Sequence, residues 1–143
     1  MLRRHTSTIV IVIFLVGWFF YLRPTVLAGP ASYVIVSGVS MEPTLIDGDL
    51  VVLRRQPEYG VGDVVAFQTD GGNVIHRIVD REGKKFIMQG DNKTNIDPWT
   101  PQAGDILGKL WLYIPQAGEL IEKLHEPLWL AVFIAIICFI LLL

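Results

Sequence analysis

The chain has an uncharged apolar run at each end, and the region between the two runs mixes apolar, polar and charged residues. The first covers residues 8–22 and follows Arg3 and Arg4, and the second covers residues 128–143. Each is shorter than the roughly 20 residues that a helix needs to cross a bilayer, but the aromatic side chains that end the first run suit the headgroup level of a membrane. We therefore expect an N-terminal transmembrane helix and a C-terminal transmembrane segment.

The first run also has features of a cleaved signal peptide. A basic start precedes it, and the small-residue pattern of residues 26–28 resembles a cleavage site. Bulky aromatic residues and Arg23-Pro24 stand between the run and that site, which favours an anchor that is retained. Positive charge before an apolar segment favours a cytoplasmic N-terminus. The sequence thus predicts a cytoplasmic stub and anchor over residues 1–23, an extracytoplasmic domain over residues 24–127 and a transmembrane segment over residues 128–143, in the plasma membrane.

The region between the two runs contains short β-branched segments separated by turn residues, and it lacks helical periodicity. The predicted strands are residues 33–36, 50–54, 63–68, 73–79, 85–89 and 106–113. Two adjacent pairs have the pattern of hairpins, the first across Asp70-Gly71-Gly72 and the second across Glu82-Gly83. A sheet of this size has exposed edges unless it curls on itself or lies on a membrane. The predicted fold class is mostly β, with one small extracytoplasmic domain built on a curled antiparallel sheet.

The charge balance of the central region excludes one class of partner. Removing Arg3, Arg4 and Arg23 from the 12 basic residues leaves 9 of them in residues 24–127, against 14 acidic residues. We expect no nucleic-acid partner, because nucleic-acid binding requires a basic surface. The only cysteine, Cys138, lies in the second apolar run, so no intrachain disulfide can form. The residue types that bind metals are too scattered to predict a metal or another cofactor.

The first segment that can carry chemistry is residues 37–45. Ser40 follows an extended run, stands near Gly38 and precedes Met41, and a serine in such a place can sit at a sharp turn with its hydroxyl exposed. The alternative is that Ser40 caps a short helical turn through Pro43 and Leu45. Taken alone, the segment favours the cap.

A second segment, residues 73–79, supplies a histidine. Strand alternation places Val74, His76 and Ile78 on one face. Partial desolvation by β-branched neighbours favours the neutral imidazole that a general base requires. The alternative is a histidine that only fills the core, and His5 and His125 are poorer candidates because they lie beside the membrane runs.

A third segment, the polar loop of residues 90–98, contains Asp91 and Asp97. A carboxylate there can accept a hydrogen bond from the second ring nitrogen of His76 and hold the ring in one tautomer. The alternative is an ordinary Asx turn. Asp105 is expected to cap a turn, and Asp91 is expected to hold the loop in shape. The ring of Pro98 biases Asp97 toward extended conformations and restricts the direction of its carboxylate, which favours Asp97 as the partner of the histidine.

Together these segments resemble the signal peptidase I family over most of residues 34–113. Residues 40–45 resemble its nucleophile box, residues 62–67 the strand that follows, residues 74–79 the general-base motif, and Gly90-Asp91-Asn92 with Asp97 the last acidic box. His76 stands where the common bacterial members have lysine. That choice is similar to the endoplasmic-reticulum and archaeal branch, which is of the Ser-His-Asp type.

The resemblance implies a membrane-bound serine endopeptidase that removes signal peptides from secretory preproteins, with Ser40, His76 and Asp97 as catalytic residues. Ser37, Gly38, Met41 and Asp91 are the predicted supporting residues. Gly38 stands where some relatives have a serine that holds the oxyanion, so the backbone N–H of Ser40 is the preferred oxyanion donor. The implied partners are secretory preproteins, the lipid bilayer and the translocation machinery.

Two other functions fit parts of the sequence. One is a specialised processing peptidase of the same family with a narrow set of substrates. The other is a catalytically silent, membrane-tethered β-domain that binds exported proteins. The silent domain explains the apolar ends and the sheet, but it does not explain why Ser40, His76 and Asp97 occur together in motif order.

Overall fold

An N-terminal helix, six strands and a second helix make up the part of the chain that the computed structural model describes, residues 2–25 and 29–125. The first helix, α1, covers Leu2–Gly17 and continues into a π-helical turn, Trp18–Leu22. The strands and the second helix are β1 Ala31–Ile35, β2 Leu50–Arg54, β3 Val64–Thr69, β4 Gly72–Glu82, β5 Lys85–Gln89, β6 Ile106–Ile114 and α2 Ala117–His125. The mostly β fold class and its antiparallel sheet are confirmed.

The strands form one sheet in the order β1-β2-β6-β3-β4-β5, and every pair is antiparallel. Both predicted hairpins are present, β3 with β4 and β4 with β5. The predicted bounds of β2 and β5 are confirmed exactly, and those of β1, β3 and β6 differ by one or two residues. β4 continues three residues further than predicted because a register shift between Ile78 and Asp80 lets it stay paired with β5.

The third strand is buried on both faces. Val64 and Ala66 belong to one apolar cluster together with Met41, and Val65 and Phe67 belong to the other. Successive side chains of a strand point to opposite faces, so four consecutive buried residues require cover on both sides. β3 therefore lies in the middle of the core, between the two apolar clusters.

Besides the outer edge of β5, which has only an isolated bridge from Lys85 to Gln102, two further strand edges are without a partner strand in the described part of the chain. β1 is an edge strand of the sheet, and outside it there is only an isolated bridge between Pro24 and Ala31. β5 pairs with residues 77–82 of β4, whereas residues 72–76 of β4 pair with β3 alone. Both edges leave backbone N–H and C=O groups available to a further strand.

Helix α2 was not predicted, because residues 24–127 lack helical periodicity in the sequence. Its apolar residues Leu120, Ile121 and Leu124 span barely more than one turn, which is too short a pattern for a periodic signal. Glu119 lies in the first turn, where a negative charge interacts favourably with the helix dipole. The N–H of Gly118 donates to the carbonyl of Gly48 at 2.9 Å. The helix thus begins against the turn that precedes β2.

The N-terminal helix α1 covers most of the first apolar run. Its side chains at residues 9–16 are between 51% and 67% exposed. Within the described residues, no helix combines the length and the apolar character needed to cross a membrane. The predicted transmembrane segment at residues 128–143, with Cys138, lies outside the described residues, and so do residues 26–28.

Aromatic contacts connect the end of this helical segment to the sheet. The guanidinium of Arg54 lies 5.1 Å from the ring centroid of Tyr21 and 4.3 Å from that of Trp111. The hydroxyl of Tyr33 donates a hydrogen bond to the carbonyl of Leu22. Cation–π contacts of this kind are attractive, so they hold the helix end against β1, β2 and β6.

Candidate active site

Ser40 lies in a turn that is anchored in the hydrophobic core by the residues that follow it. Met41 and Leu45 are almost fully buried in the first apolar cluster, and burying such side chains stabilises the fold by about 1.5–3 kcal/mol each. The N–H of Leu45 donates to the carbonyl of Met41 at 3.0 Å, which closes one helical turn. Gly38 has a φ of 91°, a conformation that favours glycine. Ser40 is left half-buried beyond this bend.

His76 lies in the middle of β4 and is 3% exposed. The prediction that it shares a face with Val74 and Ile78 is confirmed, since Ile78 belongs to the second apolar cluster, Val74 packs against it, and His76 pairs with Val65 of the same cluster. His76 Nε2 lies 2.9 Å from Ser40 Oγ, although the two residues are 36 positions apart in sequence. The sheet thus brings the predicted base to the hydroxyl of the predicted nucleophile.

Asp97 lies on the other side of the imidazole. Its Oδ2 is hydrogen-bonded to His76 Nδ1, and the residue is 6% exposed. The N–H of Asp97 donates to the carbonyl of Met88 at 2.8 Å, which fixes the loop against β5. Asp105 instead accepts a hydrogen bond from the N–H of Gln102 at 2.9 Å, in a turn before β6. Of these two acids, only Asp97 contacts His76.

Gly90 lets the loop of residues 90–98, here called the acidic loop, approach Ser40 and His76 closely. A Cβ at Gly90 would lie 2.5 Å from the carbonyl oxygen of Ser40 and 3.0 Å from His76 Nε2. The next residues hold the loop in place, because the N–H of Asn92 donates to the Ser40 carbonyl at 2.9 Å and its side chain donates to the Val39 carbonyl at 3.1 Å. Position 90 therefore has no room for a side chain.

Asp91 does not contact the imidazole but joins three segments of the site. Its carboxylate accepts hydrogen bonds from Arg77 Nε at 2.8 Å and Arg77 Nη2 at 2.6 Å, and another from the hydroxyl of Thr44. Arg77 Nη1 also donates to the carbonyl of Gly62 at 2.8 Å. The hydrogen bonds from Arg77 lower the pKa of Asp91, and the hydrogen bond to Asp91 raises the pKa of Arg77. The Arg77–Asp91 ion pair, together with Thr44, therefore links the turn that contains Ser40, strand β4 and the acidic loop.

We expect Asp91→Asn to destabilise the protein by about 1–3 kcal/mol at neutral pH, because it leaves the Arg77 guanidinium with a poorer partner. The lowered pKa of Asp91 means that the ion pair stabilises the fold above the ordinary carboxyl pKa of about 3.9 and that this contribution is lost as the pH falls through the folded-state pKa. Thermal unfolding from pH 3 to 8 measures the difference from the parent chain.

The matched control for this prediction is Asp70→Asn, which removes an exposed carboxylate in the β3–β4 turn. Its unfolding profile should follow that of the parent. The stability difference for Asp91→Asn should shrink below about pH 4. A difference that stays constant over the whole pH range would contradict a role through the ionised carboxylate.

The other predicted supporting residues, Ser37, Gly38 and Met41, lie in different surroundings from one another. Ser37 is exposed and lines the same cleft as Ser40. The N–H of Gly38 donates to Asp47 Oδ1 at 2.7 Å, which fixes the bend before Ser40. Met41 is core, buried beneath the turn. Among described residues, none accepts a hydrogen bond from the backbone N–H of Ser40.

The sequence did not single out Arg77, Thr44 or Lys93, which the structure places around the site. Lys93 Nζ lies 3.5 Å from Asp97 Oδ1, the carboxylate oxygen that is not bonded to His76. A charged residue beside His76 within an apolar strand was the available signal for Arg77. Thr44 and Lys93 gave none, because their partners are distant in sequence or lie in a loop of undetermined shape.

An open cleft of about 260 Å³ leads to Ser40 and His76. One wall is the end of β1 with the residues that follow it, and the other is the unpaired part of β4, so the two free strand edges face each other. Val34, Val36 and Ile75 give the cleft an apolar lining, and Trp99 closes one side. The arrangement suits an extended peptide that adds a strand between two edges.

Comparisons with known proteins agree with this geometry. The family model described as Peptidase S24-like matches residues 17–110. The signal peptidase complex catalytic subunit of Neurospora crassa is 33% identical over 117 residues, which are 71% of this chain and 68% of the relative. The corresponding subunits of Colletotrichum graminicola and Penicillium rubens are 32% and 31% identical over similar lengths. The chain therefore belongs to the signal peptidase I family of serine peptidases, in its endoplasmic-reticulum type.

Proposed function

We propose that this protein is a membrane-bound serine endopeptidase that cleaves signal peptides from secretory preproteins, with Ser40, His76 and Asp97 as its catalytic residues. The observation that carries the proposal is the continuous hydrogen-bonded path from Ser40 Oγ through the imidazole of His76 to Asp97 Oδ2, at the end of a cleft. A serine, a base and an orienting acid in this order are the parts of a nucleophilic hydrolase.

The geometry supports a two-step acyl transfer. His76 Nε2 accepts the proton of the Ser40 hydroxyl, and the oxygen attacks the scissile carbonyl carbon. Asp97 holds the Nδ1–H tautomer and stabilises the imidazolium. His76 then gives its proton to the leaving amine, and water hydrolyses the acyl-enzyme by the same path in reverse. The backbone N–H of Ser40 donates to the oxyanion, and Ser37 and Gly38 shape the bend that presents it.

The cleft supports an extended substrate with small side chains next to the cut. A peptide strand between β1 and residues 72–76 of β4 can pair with backbone groups on either side. Val34, Val36 and Ile75 give the cleft an apolar lining next to Ser40, which we expect to accept small residues at the first and third positions before the scissile bond and to reject large ones. The position of Ser40 beside this lining favours cleavage after such a small residue.

The names of the relatives support signal peptides as the substrate class. Each relative is described as the catalytic subunit of a signal peptidase complex. By this likeness we extend the proposal to an assembly with other subunits, working beside the translocation machinery that delivers preproteins. No cofactor is part of the proposal, since serine, imidazole and carboxylate suffice for the reaction.

Membrane attachment is the second part of the proposal. The N-terminal helix carries exposed apolar side chains along residues 9–16 and ends in an aromatic turn, as expected of an anchor at a bilayer surface. Residues 1–23 are then the stub and anchor, residues 24–127 the catalytic domain on the non-cytosolic side, and residues 128–143 a further membrane segment. The relatives' names do not support the plasma membrane that the sequence suggested, so the proposal names the side of the membrane alone.

A protease added to the non-cytosolic side of sealed membranes should digest residues 24–127 and leave an N-terminal tag intact. Arg3 and Arg4 favour retention of the N-terminus in the cytosol, which places the following domain on the opposite side. Immunoblotting for the tag and for the domain shows which of the two the protease has digested. Protection of the domain until detergent is added would reverse the proposed orientation.

Cleavage of a preprotein by the detergent-solubilised full chain tests the proposed reaction. Mass spectrometry of the products should give one new N-terminus, directly after a small residue that ends the signal peptide. Binding of the preprotein without any cleavage would favour the silent β-domain. Cleavage of one narrow class of exported proteins, with other preproteins left intact, would favour the specialised processing peptidase of the same family.

A further inference from the structure

Among the residues that the structure describes, one permanently charged side chain lines the cleft, and it is Lys93. The other lining side chains are apolar, aromatic, hydroxyl or amide groups, apart from the imidazole of His76. Lys93 Nζ lies 3.5 Å from Asp97 Oδ1, the carboxylate oxygen that does not face His76. The side chain is 44% exposed, so its ammonium group can be reached from the cleft.

The backbone of Lys93 is fixed by hydrogen bonds at both its N–H and its carbonyl group. Its N–H donates to the carbonyl of Gly90 at 3.0 Å, and its carbonyl accepts a hydrogen bond from Gln89 Nε2 at 2.6 Å. These hydrogen bonds fix the backbone of Lys93, and the contact of its ammonium group with Asp97 keeps the charge at the end of the cleft where His76 lies.

The proposed mechanism places the leaving group at this end. His76 Nε2 must reach the leaving amine to protonate it, so the substrate residue after the scissile bond lies near the imidazole. Lys93 lies beside Asp97 and lines the same cleft as His76 and Ser40. Resting on the proposed peptidase function, we infer that Lys93 is a specificity-determining residue that favours an acidic residue and disfavours a basic residue immediately after the cut.

The charges give the sign of the effect. When His76 takes the proton of Ser40, the positive charge of the imidazolium is matched by the negative charge that forms on the oxyanion, so the proton transfer adds no net charge to the site. Lys93 keeps its positive charge in the ground state and in the transition state, and it is exposed to the cleft, whereas the side chain of Asp97 is buried. The ammonium of Lys93 therefore attracts a substrate carboxylate and repels a substrate ammonium in both states, which changes kcat/KM.

The size of the effect follows from the exposure of Lys93. Charge pairs at exposed positions are weak and screened, and each changes a rate by roughly 1.5- to 5-fold. A glutamate-to-lysine exchange in the substrate reverses the interaction, so the two contributions multiply. The expected preference for glutamate over lysine is therefore about 10-fold.

The test uses the detergent-solubilised full chain and three preproteins that differ only in the residue after the cut, which is Glu, Gln or Lys. The measured quantity is the ratio of kcat/KM for the Glu substrate to that for the Lys substrate. Lys93→Met should bring this ratio close to 1, Lys93→Glu should invert it, and Lys93→Arg should keep it.

Lys84→Met is the matched control, because Lys84 is an exposed lysine in the β4–β5 turn and its removal changes the net charge of the chain equally. Its ratio should equal that of the parent. An unchanged ratio in Lys93→Met, or an equal loss for all three substrates, would overturn the inference and leave Lys93 as a neighbour of Asp97 alone. Failure of the parent chain to cleave any of the three would count against the proposed function instead.

Discussion

Replacing Ser40 by alanine should abolish preprotein cleavage while the fold remains intact. The change removes one hydroxyl from a half-buried position, and Met41 and Leu45 still hold the turn in the core. Without the hydroxyl, His76 has no proton to accept and no covalent intermediate can form. We expect turnover to fall by a factor on the order of 10⁶, the loss found when the nucleophile of a serine peptidase is removed.

Three measurements make this result decisive. Product formation from a preprotein gives the activity, thermal unfolding gives the stability, and a mechanism-based serine reagent identifies the modified residue by mass spectrometry. The matched control is Ser32→Ala in β1, which removes another hydroxyl at a position outside the cleft. Parental turnover in Ser40→Ala would refute the assignment of Ser40, and reagent bound at another serine would show where the nucleophile is.

The strands were predictable because their sequence patterns are local. β2 and β5 have the predicted bounds, since each is a short apolar run between strong turn signals. The pairing order was not predictable beyond the two hairpins. β6 lies between β2 and β3, and nothing in its own sequence states which distant strands it joins. Long-range pairing depends on how whole faces pack, which no local window contains.

Helix α2 was missed for the opposite reason. Its pattern is local but too short, and the chain continues directly toward the second apolar run, which hides the end of the helix from a periodicity argument. Tertiary contacts help to place it, including the hydrogen bond from Gly118 to Gly48. The N–H of Gln116 also donates to buried Asp49 at 3.1 Å. Short helices of this kind depend on packing more than on propensity.

The catalytic residues of the candidate site could be predicted from the sequence, but the hydrogen bonds and ion pairs that surround them could not. Ser40, His76 and Asp97 stand in motifs, and the structure brings their side chains together. The ion pair of Arg77 with Asp91 bridges segments 14 residues apart, and Thr44 joins it from 47 residues away. Such contacts depend on the register of β4 and on the shape of the acidic loop. Both are products of the fold, so the sequence offered Asp91 without its partners.

The choice between Asp97 and Asp91 is the sharpest remaining test of the site. Asp97 Oδ2 is hydrogen-bonded to His76 Nδ1 in a buried position, whereas both oxygens of Asp91 are occupied by Arg77 and Thr44. An amide at position 97 presents an N–H to the imidazole as readily as an oxygen, and it stabilises the wrong tautomer.

Asp97→Asn should therefore lower turnover by a factor on the order of 10⁴ with little change in thermal stability, because asparagine has nearly the shape of aspartate and the backbone bond to Met88 is kept. Single-turnover kinetics should place the loss in the acylation step, where His76 must accept the proton of Ser40. Asp91→Asn provides the contrast, since it is expected to lose stability and activity together. Near-parental turnover in Asp97→Asn, combined with an inactive but stable Asp91→Asn, would require the roles of the two acids to be exchanged.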